Sequence, residues 1–198
     1  MRRAMKSQVT TKQGDAGETG TLGGERYSKS HPIMECVGSL DELRVQTAMA
    51  RLCLLQEHPD GDGAIADFLF WLLHVYFLIG SACSDPHDRH PEYRKGRVSR
   101  AYLDKIEAFQ QRIEEETPLP QAFIVSPGTM LAAQFDRACT LARRLERNLA
   151  RLKETIPAFD AADILAFVNR LSDTLYMLAR HVEKPAHCTV DYRVLNGE

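Results

Sequence analysis

Apolar residues recur three and four positions apart over four stretches of the chain and run almost unbroken over a fifth. Behind Pro32, which can open a helix, Val37, Leu40, Leu43, Thr47 and Ala50 form a stripe that carries the first helix to about Glu57. "HPDGDG" at 58–63 then breaks the chain. The run "FLFWLLHVYFLIGSAC", Phe68 to Cys83, is 16 residues long and contains His74, so it is short for a membrane span. It reads as a helix apolar on most faces, either central or wedged into a subunit interface. A charged, proline-punctuated loop at 84–97 leads to a third helix from about Ser99 to Glu116, with Ile106, Phe109 and Ile113 on one side. Thr129 can cap a fourth helix, to about Glu154, whose stripe is Leu131, Phe135, Ala138, Ala142, Leu145, Leu149 and Leu152. After Pro157 the fifth helix, about Asp160 to Glu183, carries Ile164, Val168, Leu171, Leu175 and Leu178. This pattern predicts an all-α fold, a five-helix antiparallel bundle in a single domain. Residues 1–31 form an irregular arm, 32–183 the bundle, and 184–198 a tail without periodicity.

The arm fits neither a core strand nor an amphipathic helix. "TTKQGDAGETGTLGGER", residues 10–26, has glycines at 14, 17, 20, 23 and 24 and one large apolar residue, Leu22. Glycines permit left-handed backbone, and successive N–H groups in such a turn can converge on an anion. Lys12 and the threonine hydroxyls add donors, while Asp15 can orient a lysine or a magnesium-bound water. The alternative is a plain polar N-terminal segment. There is no GxxxxGK[ST] loop, and no GxGxxG pattern behind a strand.

The fourth and fifth helices each carry a second, polar stripe. Cys139, Arg143, Glu146 and Arg147 share one face of the fourth; Asn169, Asp173, Tyr176 and Arg180 share one face of the fifth. Two wet helix faces laced with ion pairs would read the same way. Asn169, a mediocre helix former beside the apolar stripe, needs partners there.

Net charge is −2 over 198 residues, which excludes a general nucleic-acid or membrane-surface binder. The five cysteines are odd in number and lack CxxC spacing, as expected of reduced thiols in a cytoplasmic protein. "MRRAMKSQ" has no apolar segment behind it and does not read as a signal peptide. "DPHDRH" at 85–90 is short and unsupported, so no protein-held metal centre is expected.

Three separated pieces carry a resemblance. "TKQGDAGETG" with the following "GER" and Lys29, "VGSLDEL" on the first helix, and "ARRLER" with "FVNRLSDTLYMLAR" on the last two resemble, in order, the signatures of the PduO-type ATP:cob(I)alamin adenosyltransferases. The resemblance implies a homotrimer of five-helix bundles with sites between subunits, in which a reduced corrinoid attacks the 5′ carbon of ATP and expels triphosphate. It implies that Thr11, Lys12, Gly14, Asp15, Gly17, Thr19 and Lys29 contact ATP and that Arg143 neutralises phosphate. Glu146 and Asn169 would hold ribose, adenine or the magnesium shell, with Mg²⁺ bridging phosphates. Phe123 in "FIVSPG" would crowd the lower face of the corrin and displace its axial base. Asp41 would pair with an arginine across the subunit interface, but Cys139 stands where the family has that arginine. The family's PGG is here Ser126–Pro127–Gly128. Two readings follow: an active adenosyltransferase, or a member that binds ATP or corrinoid as a carrier or sensor with transfer lost or altered.

Overall fold

The structure, a computed structural model, describes residues 10, 12–59, 61, 63–125, 127–183 and 187–196. Five long helices make the bundle: α1 (Pro32–Glu57), α2 (Gly63–Ser84), α3 (Arg100–Glu115), α4 (Met130–Thr155) and α5 (Ala162–Val182). Helix α4 packs between α1 and α5, with α2 on α1 and α3 on α5.

Helix starts follow local chemistry. Pro32 occupies the first turn of α1, where its missing N–H costs nothing, and His31 Nδ1 accepts from the Ile33 N–H at 3.2 Å. Thr129 Oγ1 caps α4 by accepting from the Ala132 N–H at 3.1 Å. At the other end of α4, Lys153 Nζ donates to the carbonyls of Pro157 and Phe159, closing the turn into α5.

The stripes meet in one core: Leu43 and Leu54 of α1, Phe135 and Leu149 of α4, and Phe167 and Leu171 of α5 are wholly or almost wholly buried. Each such side chain contributes about 1.5–3 kcal/mol relative to exposure. Inside this core the Thr47 hydroxyl pairs with the Tyr76 hydroxyl at 3.0 Å, so neither polar atom is orphaned. The phenol of Tyr76 is consequently hard to ionise, its pKa raised by burial.

Helix α2 is long and apolar enough to cross a bilayer, yet 44% of that apolar window is buried inside the protein. Its inner face, with Leu69, Leu72 and Ile79, sits in the core, while Phe70 and Phe77 stand half exposed or more on the outer face. Arg51 lies over the Phe70 ring and Arg44 over the Phe77 ring.

Two regions expected to be irregular are paired. The arm folds as an antiparallel hairpin, β1 (Glu18–Gly20) with β2 (Arg26–Ser28), Thr19 facing Tyr27 across the strands. Gly17 and Gly24 supply the positive φ that its turns require. The tail lays residues 188–190 beside 123–125, with Ile124 opposite Thr189, before a short helix α6 (Arg193–Asn196).

Candidate active site

The arm builds a small closed turn. The Gly17 N–H donates to the Gly14 carbonyl at 3.2 Å, and the Lys29 N–H, just past β2, donates to the Gly17 carbonyl at 2.9 Å. The Lys29 ammonium lies across this turn, 3.2 Å from where a Cβ on Gly14 would stand. Any side chain at 14 would therefore compete with the lysine. Lys12, at φ 60°, is exposed ahead of the turn, Asp15 is exposed within it, and Thr19 is half buried in the hairpin. Arg26 is structural: it donates to the Gln13 carbonyl at 3.2 Å and pairs with Glu18 at 3.3 Å. Thr11 lies outside the described residues.

The arm tip is clamped to the 84–97 loop. Glu25 accepts from the Thr21 hydroxyl at 2.6 Å and meets His90 Nε2 at 3.0 Å. Asp85 in turn accepts from the N–H groups of Arg89 and His90. The Thr21 hydrogen bond, helped by Glu25's own N–H and by His90, holds the Glu25 carboxyl down to about 2. The bond to Glu25 raises the His90 pKa, with Glu92 adding to it. Because the His90 pKa lies above its ordinary 6.5, its contribution is complete below pH 6.5 and fades as pH climbs through the raised value. The Glu25 contribution is complete above 4.5 and fades as pH falls toward about 2. The clamp is therefore tightest between about pH 4.5 and 6.5. Amide exchange in the hairpin, corrected for intrinsic base catalysis, is expected to quicken from pH 6.5 to 8.5 in the native protein and to be pH-independent in His90→Ala. A flat profile in both would refute the clamp.

On the bundle, Asn169 Nδ2 donates to Glu146 Oε1 at 3.1 Å, while Asn169 Oδ1 accepts from Arg170 at 2.7 Å. The asparagine is thus partnered from both sides. Arg143 projects outward, and among the described residues its guanidinium has no bonded partner. The two polar stripes are not uniformly wet: Cys139 is buried, its thiol pKa raised by that burial, and Arg180 is 0% exposed. Asp173 alone of the α5 set is exposed.

Asp41 on α1 is exposed and pairs with Arg44 at 3.3 Å. With Val45, Met49, Arg137 and Leu141 it lines an open groove of about 370 Å³. Arg137 therefore opens toward Asp41's groove while Cys139, about 200° away around the helix, turns inward. On the other side of Asp41 a largely apolar cleft, also about 370 Å³, is walled by Leu22, Leu40, Arg44, Phe77 and Tyr93. Sequence reasoning left this cleft out; its one signal was Leu22, the single large apolar residue of the arm, which overhangs it. Phe123 stands apart, 80% exposed on the segment before α4. Among the described residues, Lys12, Asp15, Thr19 and Lys29 make no bond to Arg143, Glu146 or Asn169 of the same chain.

Over residues 9–182 the sequence matches the family model described as cobalamin adenosyltransferase. The chain belongs to the cobalamin adenosyltransferase family. It is 32% identical over 180 residues to the corrinoid adenosyltransferase PduO of Salmonella typhimurium, covering 90% of this chain and 51% of that one. The chain spans about half the length of the PduO relatives it matches. A corrinoid adenosyltransferase of Mycobacterium tuberculosis is 27% identical over 174 residues, 88% of either chain. Among solved structures, a phenylalanine-to-histidine variant of the PduO-type ATP:corrinoid adenosyltransferase from Lactobacillus reuteri, complexed with cobalamin and ATP, aligns with a TM-score of 0.79 at 23% identity. That alignment covers 92% of this chain and 96% of the other. An arginine-to-lysine variant of the same enzyme, complexed with ATP, gives 0.79 at 24% identity over 92% and 100% of the two chains. The five-helix bundle of this family is thus the fold found here. Among the described residues no three His, Cys, Asp or Glu side chains gather as a metal cage. Mg²⁺ ordinarily takes one or two carboxylates plus substrate phosphates, a need that Asp15 and Glu146 can meet.

Proposed function

We propose that this protein transfers the 5′-deoxyadenosyl group of ATP to the Co(I) centre of a reduced corrinoid, giving adenosylcobalamin and triphosphate. The observation that carries the reading is the closed 14–17 turn with the Lys29 ammonium across it, in a chain whose family is established. The cobalt lone pair forms the bond to C5′ as the C5′–O bond breaks, and triphosphate departs with that electron pair. The leaving group gathers negative charge, so donors fixed in advance around it lower the barrier. Lys12, Lys29 and the Gly14 N–H supply them from the arm, with Thr19 in the hairpin and Thr11 as a further candidate; Gly17, its N–H spent on the Gly14 carbonyl, shapes the turn. Arg143 supplies the fork from α4, its guanidinium free for phosphate oxygens. Glu146 and Asn169, locked together, hold the nucleoside. Asp15 or Glu146 would hold a Mg²⁺ ion brought by the phosphates, which would supply charge neutralisation on the triphosphate. Phe123 crowds the lower corrin face, and Asp41 with its apolar cleft borders the corrinoid side.

The assembly we propose is a homotrimer with sites between subunits. Two observations support it: among the described residues Lys12, Thr19 and Lys29 make no bond to Arg143, Glu146 or Asn169, and Val45, Met49, Leu52, Phe70 and Phe77 leave an apolar face on α1 and α2. Reduced cysteines fit a cytoplasmic location.

The test is anaerobic incubation with ATP, Mg²⁺ and chemically reduced cobalamin, followed by visible absorbance. The Co(I) bands are expected to give way to those of an alkylcobalamin only when ATP is present. Burial of Cys139, where the family places an interface arginine, favours a second reading, a nucleotide or corrinoid carrier. ATP binding without any cobalt–carbon bond formation would establish that second reading and refute the first.

A further inference from the structure

The segment from Phe123 to Gly128 is tied down at both ends by contacts that the reaction does not use. At its start the Val190 N–H donates to the Phe123 carbonyl at 2.8 Å, and the Val125 N–H donates to the Cys188 carbonyl at 2.7 Å. At its end the Gly128 N–H donates to Glu183 Oε1. A Cβ on Gly128 would lie 2.7 Å from that oxygen, so a side chain at 128 would push the Glu183 carboxylate away from this position. Glu183 is itself buried, its side chain 3% exposed, with Arg180 Nε at 3.4 Å and His187 Nδ1 at 3.7 Å from its other oxygen. Arg180, without any exposure, reaches on to Asp136 of α4 at 2.7 Å.

An ion pair buried in this way costs desolvation on both partners and seldom exceeds a hydrophobic substitute in stability. What it fixes is geometry: a charge-assisted acceptor held at one place in front of the Gly128 N–H. The Phe123 ring does not fix its own place: it is 80% exposed and joins no ring contact among the described residues. Its place is set by its backbone, and its backbone is held from the tail and from Glu183.

We propose that the Asp136–Arg180–Glu183 relay and the 188–190 strand form a positioning device for Phe123, with Arg180 and Glu183 as positioning residues that touch no substrate. The inference rests on the adenosyltransferase reading, in which Phe123 faces the corrin. The tail thereby belongs to the corrinoid half of the site and leaves the nucleotide half alone.

Two variants attack the device from different sides without removing a core charge. Gly128→Ala puts a methyl against Glu183 Oε1, and Val190→Pro deletes the N–H that holds the Phe123 carbonyl. Each is expected to lower kcat/KM for reduced cobalamin about tenfold, the worth of one well-made hydrogen bond to a fixed segment, while KM for ATP stays within about twofold. Amide exchange over 123–128 should quicken in both variants, with exchange in the 12–31 arm unchanged. Faster exchange with native cobalamin kinetics would overturn the proposal, as would an equal rise in both KM values. If the native protein forms no cobalt–carbon bond, the adenosyltransferase reading has failed independently. Equilibrium binding of cobalamin then decides, and affinities equal to native in both variants would overturn the positioning role.

Discussion

Arg180→Ala is expected to lower the unfolding free energy by about 3–5 kcal/mol, the usual cost of stripping one partner from a buried charge pair. The guanidinium has no exposure, and its removal strands Glu183, also buried, and takes from Asp136 its 2.7 Å partner. It also removes packing beside Tyr176, over whose ring the guanidinium lies at 5.3 Å. The double variant Arg180→Met with Glu183→Gln should regain part of the loss, since the buried carboxylate goes with the guanidinium and only Asp136, partly exposed, loses a partner. Urea denaturation followed by helical circular dichroism measures both. A single-variant midpoint equal to the native one would show that water reaches the pair and that it is no buried relay.

Arg143→Ala should act on the ligand and spare the fold. Its side chain is exposed and bonded to no described residue, so truncation orphans nothing. Loss of its charge-assisted bonds to the polyphosphate is expected to weaken ATP binding by about 1–3 kcal/mol, or roughly fivefold to 150-fold in Kd. Arg143→Lys should recover the charge but not the two-pronged fit. Isothermal titration under matched salt reads the affinity, with the denaturation midpoint as the internal control. ATP binding at native strength in the alanine variant would remove Arg143 from the site.

The helices were legible because their burial is periodic. The stripe from Leu131 to Leu152 on α4 and that from Ile164 to Leu178 on α5 are buried, and the Pro32 and Thr129 starts are the observed ones. Helix α2 was half legible: its uniform apolarity does not say which face is buried, and the chain covers Leu69, Leu72 and Ile79 while leaving Phe70 and Phe77 exposed. The hairpin escaped because three-residue strands are too short to display a period of two. The pairing of 188–190 with 123–125 escaped for another reason, since it joins distant segments that carry no local signal. Helical spacing placed Cys139 and Arg143 on one face, yet a stripe's edge has an inside and an outside. The apolar thiol turned in and the guanidinium turned out. Arg180 turned inward against expectation because Asp136 and Glu183 await it there.

The hairpin's two attachments have a consequence for the thermodynamics of nucleotide capture. Its tip is held by Glu25 on His90, and its root by the Tyr27 ring tilted against His31 at the mouth of α1. Ordering a loose chain costs about 1–2 kcal/mol for each residue brought to rest. With tip and root already fastened, residues 18–28 would meet a polyphosphate without that entropic toll, and on the proposed reading more of the enthalpy of the grip survives as affinity.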